Sequence, residues 1–242
     1  MVHQLDGSTM ILQKIEEARI VAMLLTDGGI TKTHYDRPRS WRIFFASKEK
    51  FLLSLFKENI EALFSAQRFW MSESRNTASI YLNNSAIAEH FLKYSPTYRT
   101  KQCNSRPICP LLRGQKYGPC VRCEPFVYKE LQYPPSKIPT MDTSLIGEFL
   151  KYYFSVEGTV TDRIQISQRH PTLLYQVKEL LNYFHIHTSL NCYKAKDNRY
   201  EWFLRVFKKD FKKFHDYINL LPVQIQNTTL TKSERLERLI QV

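Results

Sequence analysis

The chain has 242 residues, 43% of them apolar, which is enough for one large domain or two of ordinary size with packed cores. Lys and Arg outnumber Asp and Glu by 35 to 23, and the net charge of +12 favours a polyanion, above all nucleic acid, as partner. A protein that merely happens to be basic stays open as the alternative. No segment approaches the roughly 18 apolar residues of a membrane span and no signal peptide is recognisable, so we expect an intracellular protein that binds no membrane.

The first half of the chain predicts an αββαββα order of elements. Residues 9–27 carry apolar side chains at helical spacing and predict a helix that ends at Asp27, before Gly28 and Gly29. In the hairpin that follows, Trp41, Ile43 and Phe45 are expected on the core face, and they alternate with Arg42, Phe44 and Ala46. The later elements are the two arms of this hairpin, GITKTHYDRPRS and WRIFFASK, a helix over 48–64, a hairpin over QRFWMSES and TASIYLNN, and a helix over SAIAEHFLKYS.

The same order recurs in the second half of the chain. Residues 143–157 predict a helix that ends at Glu157 before Gly158. The elements after it are a hairpin over GTVTDRIQIS, a helix over HPTLLYQVKELLNYF, strands over HTSLNCYKAK and RYEWFLRVFK, a helix over DFKKFHDYINLL and a final helix over SERLERLIQ. Residues 42–58 also align with 163–179, and this internal repeat indicates two related halves.

Each half ends its first helix with an acid followed by glycine. We expect the glycine to supply a left-handed cap at the end of the helix. An acid at the negative end of a helix dipole is disfavoured by a few tenths to about 1 kcal/mol. Two acids at equivalent points therefore require a compensating cation, which a divalent metal would provide.

At these two points the chain resembles the LAGLIDADG homing endonuclease family in its single-chain, two-motif form, because IVAMLLTDG (20–28) and LKYYFSVEG (150–158) each look like its nine-residue signature. The resemblance covers most of the chain. It implies an α+β fold in which two pseudo-symmetric αββαββα halves form a saddle of two four-stranded antiparallel sheets. One departure stands out: the signature keeps small residues where its helices touch, as at Ala22, whereas the second copy has Lys151 and Tyr152, which suggests a wider or offset crossing.

The resemblance also implies an activity. It predicts a monomeric, intron-encoded nuclease that hydrolyses one phosphodiester per strand of double-stranded DNA at a long pseudo-palindromic or asymmetric site, in a prokaryotic cytoplasm or nucleoid or an organelle matrix. Asp27 and Glu157 fall on the family's acid positions and would bind Mg²⁺, with backbone groups of Gly28 and Gly158 as further ligands and a metal-activated water as nucleophile.

Basic or polar residues near the scissile phosphates complete the family's active sites. The matching positions in this chain are Gln168 or Arg169 and Lys232 in the second half, with Lys48 and Lys101 as looser counterparts in the first. A lysine there could stabilise charge on the phosphate or polarise water. Each of these residues could equally be an ordinary surface residue.

Strand residues opposite the core should line the saddle and contact DNA. Arg can pair with guanine and Gln or Asn with adenine in the major groove, whereas hydroxyls and Lys more often hold phosphates. A solvated surface position is the alternative for every one of them. The candidates are Thr31, Thr33, Tyr35, Arg37, Arg39, Arg42, Ser79 and Tyr81 in the first half and Arg163, Gln165, Asn191, Tyr193, Arg199 and Arg205 in the second.

A Pro-rich segment over 99–139 separates the first half (1–98) from the second (140–242). It holds four of the five cysteines, Cys103, Cys109, Cys120 and Cys123, which could form a structural Zn²⁺ site, form disulfides or stay free thiols. Cys192 lies in a predicted strand and is expected to be a small core residue. Residues 99–123 carry six basic residues and no acid, so we expect this insert to lie along flanking DNA.

Two other interpretations stay open. A protein of the same fold could bind without cutting, as a transcriptional regulator or an RNA maturase that assists intron splicing; it would bind DNA or intron RNA tightly without cleavage in any divalent metal. A zinc-ribbon adaptor is the third interpretation, but it rests on the insert alone and leaves the internal repeat unexplained.

Overall fold

The first half has the predicted order of elements in the computed structural model, which describes residues 11–33, 40–74, 76–95, 98, 137–168, 172–194 and 200–241. The elements are α1 (Ile15–Leu25), β1 (Gly28–Lys32), β2 (Trp41–Ser47), α2 (Lys50–Phe64), β3 (Phe69–Ser74), β4 (Thr77–Leu82) and α3 (Ser85–Leu92). Helix α1 begins later than predicted. The Leu12 amide instead donates to the Thr140 carbonyl at 2.9 Å, and the Leu12 carbonyl accepts from the Asp142 amide at 3.0 Å, so this segment pairs with the second half.

The second half repeats that order and adds one helix. Its elements are α4 (Thr143–Glu157), β5 (Thr159–Val160), β6 (Ile164–Gln168), α5 (Thr172–Tyr183), β7 (Thr188–Lys194), β8 (Tyr200–Val206), a 3₁₀ turn (Lys208–Asp210), α6 (Phe211–Ile218) and α7 (Lys232–Ile240). Helix α4 matches its predicted bounds. Its first residue follows the N-cap Asp142, whose carboxylate accepts from the Ser144 amide at 2.9 Å.

The strands form two four-stranded antiparallel sheets with the same connectivity. Their orders are β1-β2-β4-β3 and β5-β6-β8-β7. In both sheets one face is buried under helices, with Ile43 and Phe45 inaccessible on β2 and Ile164 and Ile166 inaccessible on β6. The opposite faces are open. The predicted α+β class with two related sheets is therefore confirmed.

Helices α1 and α4 pack against each other and join the halves. Tyr152, where the family signature has a small residue, is buried in α4. The Arg19 guanidinium lies 5.5 Å from the centre of its ring. Arg19 Nε also donates to the Glu148 carboxylate at 2.7 Å. The larger side chain is thus accommodated by an ion pair and a ring contact between the halves.

Two predictions about single residues are wrong. Cys192 is exposed because it lies on β7, the edge strand of its sheet, and not in the core. Gly158 caps α4 with a φ of −71°, and α1 is capped by Thr26 at a φ of −106°, so neither helix ends in a left-handed glycine. Residues 99–136 lie outside the described chain, and the division at 98 and 140 stays a prediction. None of the helices described is both long and apolar enough to cross a membrane.

Candidate functional site

Asp27 and Glu157 stand at equivalent points of the two halves. Asp27 lies between α1 and β1, directly before the first residue of β1, and Glu157 is the last residue of α4, two residues before the first residue of β5. Asp27 is exposed and Glu157 half-buried. The helices that end at the two acids, α1 and α4, pack against each other. Both carboxylates act electrostatically on one ammonium group, that of Lys232.

The glycine after each acid allows the backbone to pass close to the helix. A Cβ at Gly28 would lie 2.8 Å from Leu24 Cα and 2.9 Å from the Met23 and Phe44 carbonyl oxygens. A Cβ at Gly158 would lie 2.5 Å from the Phe154 carbonyl oxygen. Glycine is required here because of close approach, and not because of a left-handed backbone.

Lys232 is the first residue of α7, and it is buried at 8% exposure. Its Nζ donates to the Ser155 carbonyl oxygen at 2.6 Å, with the Val156 carbonyl at 3.4 Å. These are C-terminal carbonyls of α4, the negative end of its dipole. Burial lowers the pKa of Lys232 to about 8, against the opposing effect of Glu157, Asp27 and Glu49. The alternative of an ordinary surface lysine is wrong.

Gln168, at the end of β6, is held by a buried tyrosine. Its side-chain amide donates to the Tyr153 hydroxyl at 2.7 Å. Burial raises the pKa of Tyr153, and the nearby Glu157 raises it further. Gln168 therefore sits beside the end of α4 with a fixed orientation. Lys48 is exposed just beyond β2, while Lys101 and Arg169 lie outside the described residues.

The donor set is compatible with a hard divalent cation. Asp27 and Glu157 offer carboxylate oxygens, and Mg²⁺ commonly takes only one or two carboxylates, with water and substrate phosphates completing its shell. Among the described residues, no group of three or more His, Cys, Asp or Glu side chains is arranged to hold a metal ion by itself. Phosphate oxygens would therefore have to complete the site. The four cysteines of the insert, Cys103, Cys109, Cys120 and Cys123, lie outside the described residues.

Four of the eight predicted DNA contacts in the first half share one sheet face. Thr31 is opposite Arg42, and Tyr81 is opposite Phe44, on the side away from the buried Ile43. Arg42 Nε donates to the Asn83 side chain at 3.0 Å, and its guanidinium lies 5.5 Å from the centre of the Tyr81 ring. Ser79 is on the same face. The Thr33 hydroxyl donates to the Ser40 carbonyl oxygen across the hairpin. Tyr35, Arg37 and Arg39 lie outside the described residues.

The second half brings a matching set together on the open face of β6, β7 and β8. Gln165 is opposite Arg205, and its side-chain oxygen accepts from Arg205 Nε at 3.1 Å. Arg163 is committed to the Asp162 carboxylate at 2.9 and 2.8 Å, which neutralises its charge. Asn191 and Tyr193 are exposed on β7, and Arg199 lies outside the described residues.

Three further residues of this surface, Trp70, Arg68 and Phe44, are not among the predicted DNA contacts. Trp70 pairs with Tyr81 across β3 and β4, is 44% exposed and has the Arg68 guanidinium 5.6 Å from its ring centre. Phe44 lies on the same face beside Tyr81, at 6.3 Å between ring centres. Strand alternation in FWMSES and WRIFFASK places both aromatic residues on the open face and could have identified them.

Comparison with known proteins gives a family match and a fold match. Residues 144–219 match the family model described as LAGLIDADG-like domain. The homing endonuclease I-DmoI, solved in complex with DNA and Mn, is 16% identical, with a TM-score of 0.57 over 84% of this chain and 96% of that one. I-DmoI in complex with DNA and Ca is likewise 16% identical, with a TM-score of 0.59 over 93% and 97%. The homing endonuclease I-WcaI bound to its DNA recognition sequence is 13% identical, with a TM-score of 0.48 over 88% and 85%.

The curated protein sequences contain no match to this chain. The family model together with the fold confirms the resemblance to the LAGLIDADG family. At this level of identity, the likeness to I-DmoI establishes the fold.

Proposed function

We propose that this protein is a divalent-metal-dependent endonuclease that hydrolyses one phosphodiester in each strand of double-stranded DNA at a long site. The observation that carries the proposal is the place of Asp27 and Glu157 at equivalent ends of the packed helices α1 and α4, where both act electrostatically on the buried ammonium of Lys232. The open faces of the two sheets offer Arg, Gln, Asn and hydroxyl side chains to a duplex. The similar I-DmoI has been solved with DNA together with Mn or Ca.

Each of the two acids would hold a divalent cation, Mg²⁺ in our proposal, against the scissile phosphate of one strand. A divalent cation bound there supplies positive charge at the phosphate and lowers the pKa of water. The carboxylates project from the ends of α1 and α4, and their glycine neighbours let the backbone turn away directly behind them. Each acid would thereby serve one strand of the duplex.

Lys232 would act as a fixed positive charge. With a pKa of about 8 it keeps its proton at neutral pH, and its bond to the Ser155 carbonyl restrains the ammonium beside Glu157. There it offsets the repulsion between the acids and favours the more negative transition state of phosphate hydrolysis. Gln168, oriented by the Tyr153 hydroxyl, would position water or a phosphate oxygen by hydrogen bonding.

The test is cleavage of a supercoiled plasmid library that carries a randomised insert, with Mg²⁺ or Mn²⁺ present. We expect a small set of related inserts to be linearised, and Asp27→Asn or Glu157→Gln to lower cleavage at least about a thousandfold while duplex binding persists. Asp216→Asn, which changes an exposed acid of α6 paired with Lys212, is the matched control and should cut normally. Binding without cleavage in every divalent metal would instead favour the regulator or maturase alternative.

A further inference from the structure

The open faces of the two sheets carry different chemistry at the same register positions. The repeat makes Gly29 equivalent to Thr159, since each lies two residues after its acid, and the alignment of 42–58 with 163–179 makes Phe44 equivalent to Gln165. From these two points the strand pairing defines one row of residues across each sheet. The rows are Gly29, Phe44, Tyr81 and Trp70 in the first sheet and Thr159, Gln165, Arg205 and Ser189 in the second.

The row in the second sheet is built for hydrogen bonding. Arg205 is fixed by its 3.1 Å bond to Gln165 and by the Phe203 ring, whose centre lies 5.7 Å from the guanidinium. Phe203 is itself covered by Tyr193, with 4.6 Å between the stacked rings. An orientated guanidinium and an amide are the groups that discriminate guanine and adenine edges in the major groove.

The row in the first sheet is aromatic instead. Phe44 leans across β1, where its Cε1 and Cζ atoms come within 2.8 and 2.9 Å of the place that a Cβ of Gly29 would occupy. The Tyr81 ring lies beside it, and Trp70 continues the row onto the outer strand, where it remains 44% exposed. The guanidinium groups of Arg42 and Arg68 flank these rings.

Among the base edges in the major groove of a duplex, only one apolar group can pack against such an aromatic row. Base faces are stacked inside double-stranded DNA, and the edges of guanine, cytosine and adenine present donors and acceptors that carbon rings cannot satisfy. Thymine alone presents a methyl group there. The flanking Arg42 and Arg68 supply the positive charge that phosphates require.

We propose that the two halves read their half-sites by different chemistry: the first sheet selects thymine methyl groups through Phe44, Tyr81 and Trp70, and the second selects purine edges through Gln165 and Arg205. This inference rests on the proposed binding of double-stranded DNA, and it is independent of cleavage. The target is therefore asymmetric in composition, with a thymine-rich half on the first sheet.

The experiment selects duplexes from a randomised pool with the full-length protein in the absence of divalent metal, and then replaces thymine by uracil in one half-site at a time. We expect one thymine-rich half-site. Uracil there should weaken binding about fourfold for each thymine methyl group that is removed from the aromatic row, which is the value of burying one methyl group. Uracil in the other half-site should change binding less than about twofold, because the hydrogen bonds from Gln165 and Arg205 to purine edges involve no thymine methyl group.

Matched variants show which half-site of the DNA lies on which sheet. Trp70→Ala and Phe44→Ala should abolish the effect of uracil in the thymine-rich half, whereas Tyr193→Ala, which removes an exposed aromatic ring from the second sheet, should preserve it. Equal thymine content in both selected half-sites, or no effect of uracil in either, would overturn the inference while leaving duplex binding intact. Failure to bind any duplex would reject the proposed function itself.

Discussion

Each half presents an acid at the C-terminal end of its first helix, but the two halves satisfy the last carbonyl groups of that helix by different means. In the first half, the Thr26 hydroxyl donates to the Ala22 and Met23 carbonyls of α1 at 3.1 and 3.0 Å. In the second, the repeat places Val156 at the position of Thr26, and Lys232 instead reaches the last carbonyls of α4. One half thus uses a neutral hydroxyl and the other a buried cation. Internal symmetry of fold does not require symmetry of charge.

The largest effect should come from the glycines that both halves share. Gly28→Ala and Gly158→Ala each drive a methyl group into backbone atoms, which cannot move as a flexible side chain could. We expect each to lower the free energy of unfolding by about 3 kcal/mol or more. Denaturant unfolding of the two variants measures this directly.

Gly147→Ala provides the matched control, since this glycine lies inside α4. A Cβ there would meet the Tyr217 carbonyl oxygen at 3.0 Å, a milder contact, and alanine gains up to about 1 kcal/mol of helix propensity over glycine. Its net effect should be small. If Gly28→Ala or Gly158→Ala were as mild, close approach would not be the reason for glycine after the acids.

The second prediction concerns the pH dependence that only the second half should show. Lys232 has a pKa of about 8 in the folded chain and its usual 10.5 when unfolded, so between these values the unfolded chain binds the extra proton. The free energy of unfolding should therefore rise as the pH increases from about 8 to 10.5, and it should be constant at its lowest value below pH 8. The difference between the two pKa values corresponds to about 3 kcal/mol.

Lys232→Met isolates this effect, because it keeps the volume of the side chain and removes the titrating group. We expect wild-type protein to gain about 3 kcal/mol relative to the variant between pH 7 and about pH 10.5, measured by urea unfolding. The variant should also cut DNA at least about a hundredfold more slowly at neutral pH. Parallel pH profiles of the two proteins would show that Lys232 is not held as a buried cation.

Periodicity was sufficient to predict the elements of both halves, because each strand alternates and each helix carries an apolar stripe. Periodicity gave wrong predictions where contacts between residues distant in sequence determine the structure. The late start of α1 depends on the pairing of Leu12 with Met141, and the exposure of Cys192 depends on which strand is the sheet edge. Asp27 and Glu157 could be predicted as site residues because each lies at the end of a predicted helix, directly before a glycine. The bond from Lys232 to Ser155 joins residues 77 apart in sequence, and no local pattern predicts it.

The third prediction tests the ion pair that joins the halves. Arg19 and Glu148 are 28% and 18% exposed, so their attraction is only partly screened. We expect Arg19→Met and Glu148→Gln each to cost about 1 to 2 kcal/mol of unfolding free energy. The double variant should cost clearly less than the sum of the two, since both changes remove the same interaction. Additive losses would mean that the pair does not couple the halves.

The smallest expected effect belongs to the neutral cap of the first half. Thr26→Val keeps the shape of a side chain that is 6% exposed but removes the hydroxyl that serves the Ala22 and Met23 carbonyls. We expect a loss of about 1 kcal/mol, the typical net value of one buried hydrogen bond. Because no proton is gained or lost at this position, the loss should be equal at about pH 7 and pH 10.5, in contrast to the effect of Lys232→Met. A loss that changed with pH would mean that the end of α1 also depends on a titrating group, and the two halves would then neutralise their helix ends by the same electrostatic means.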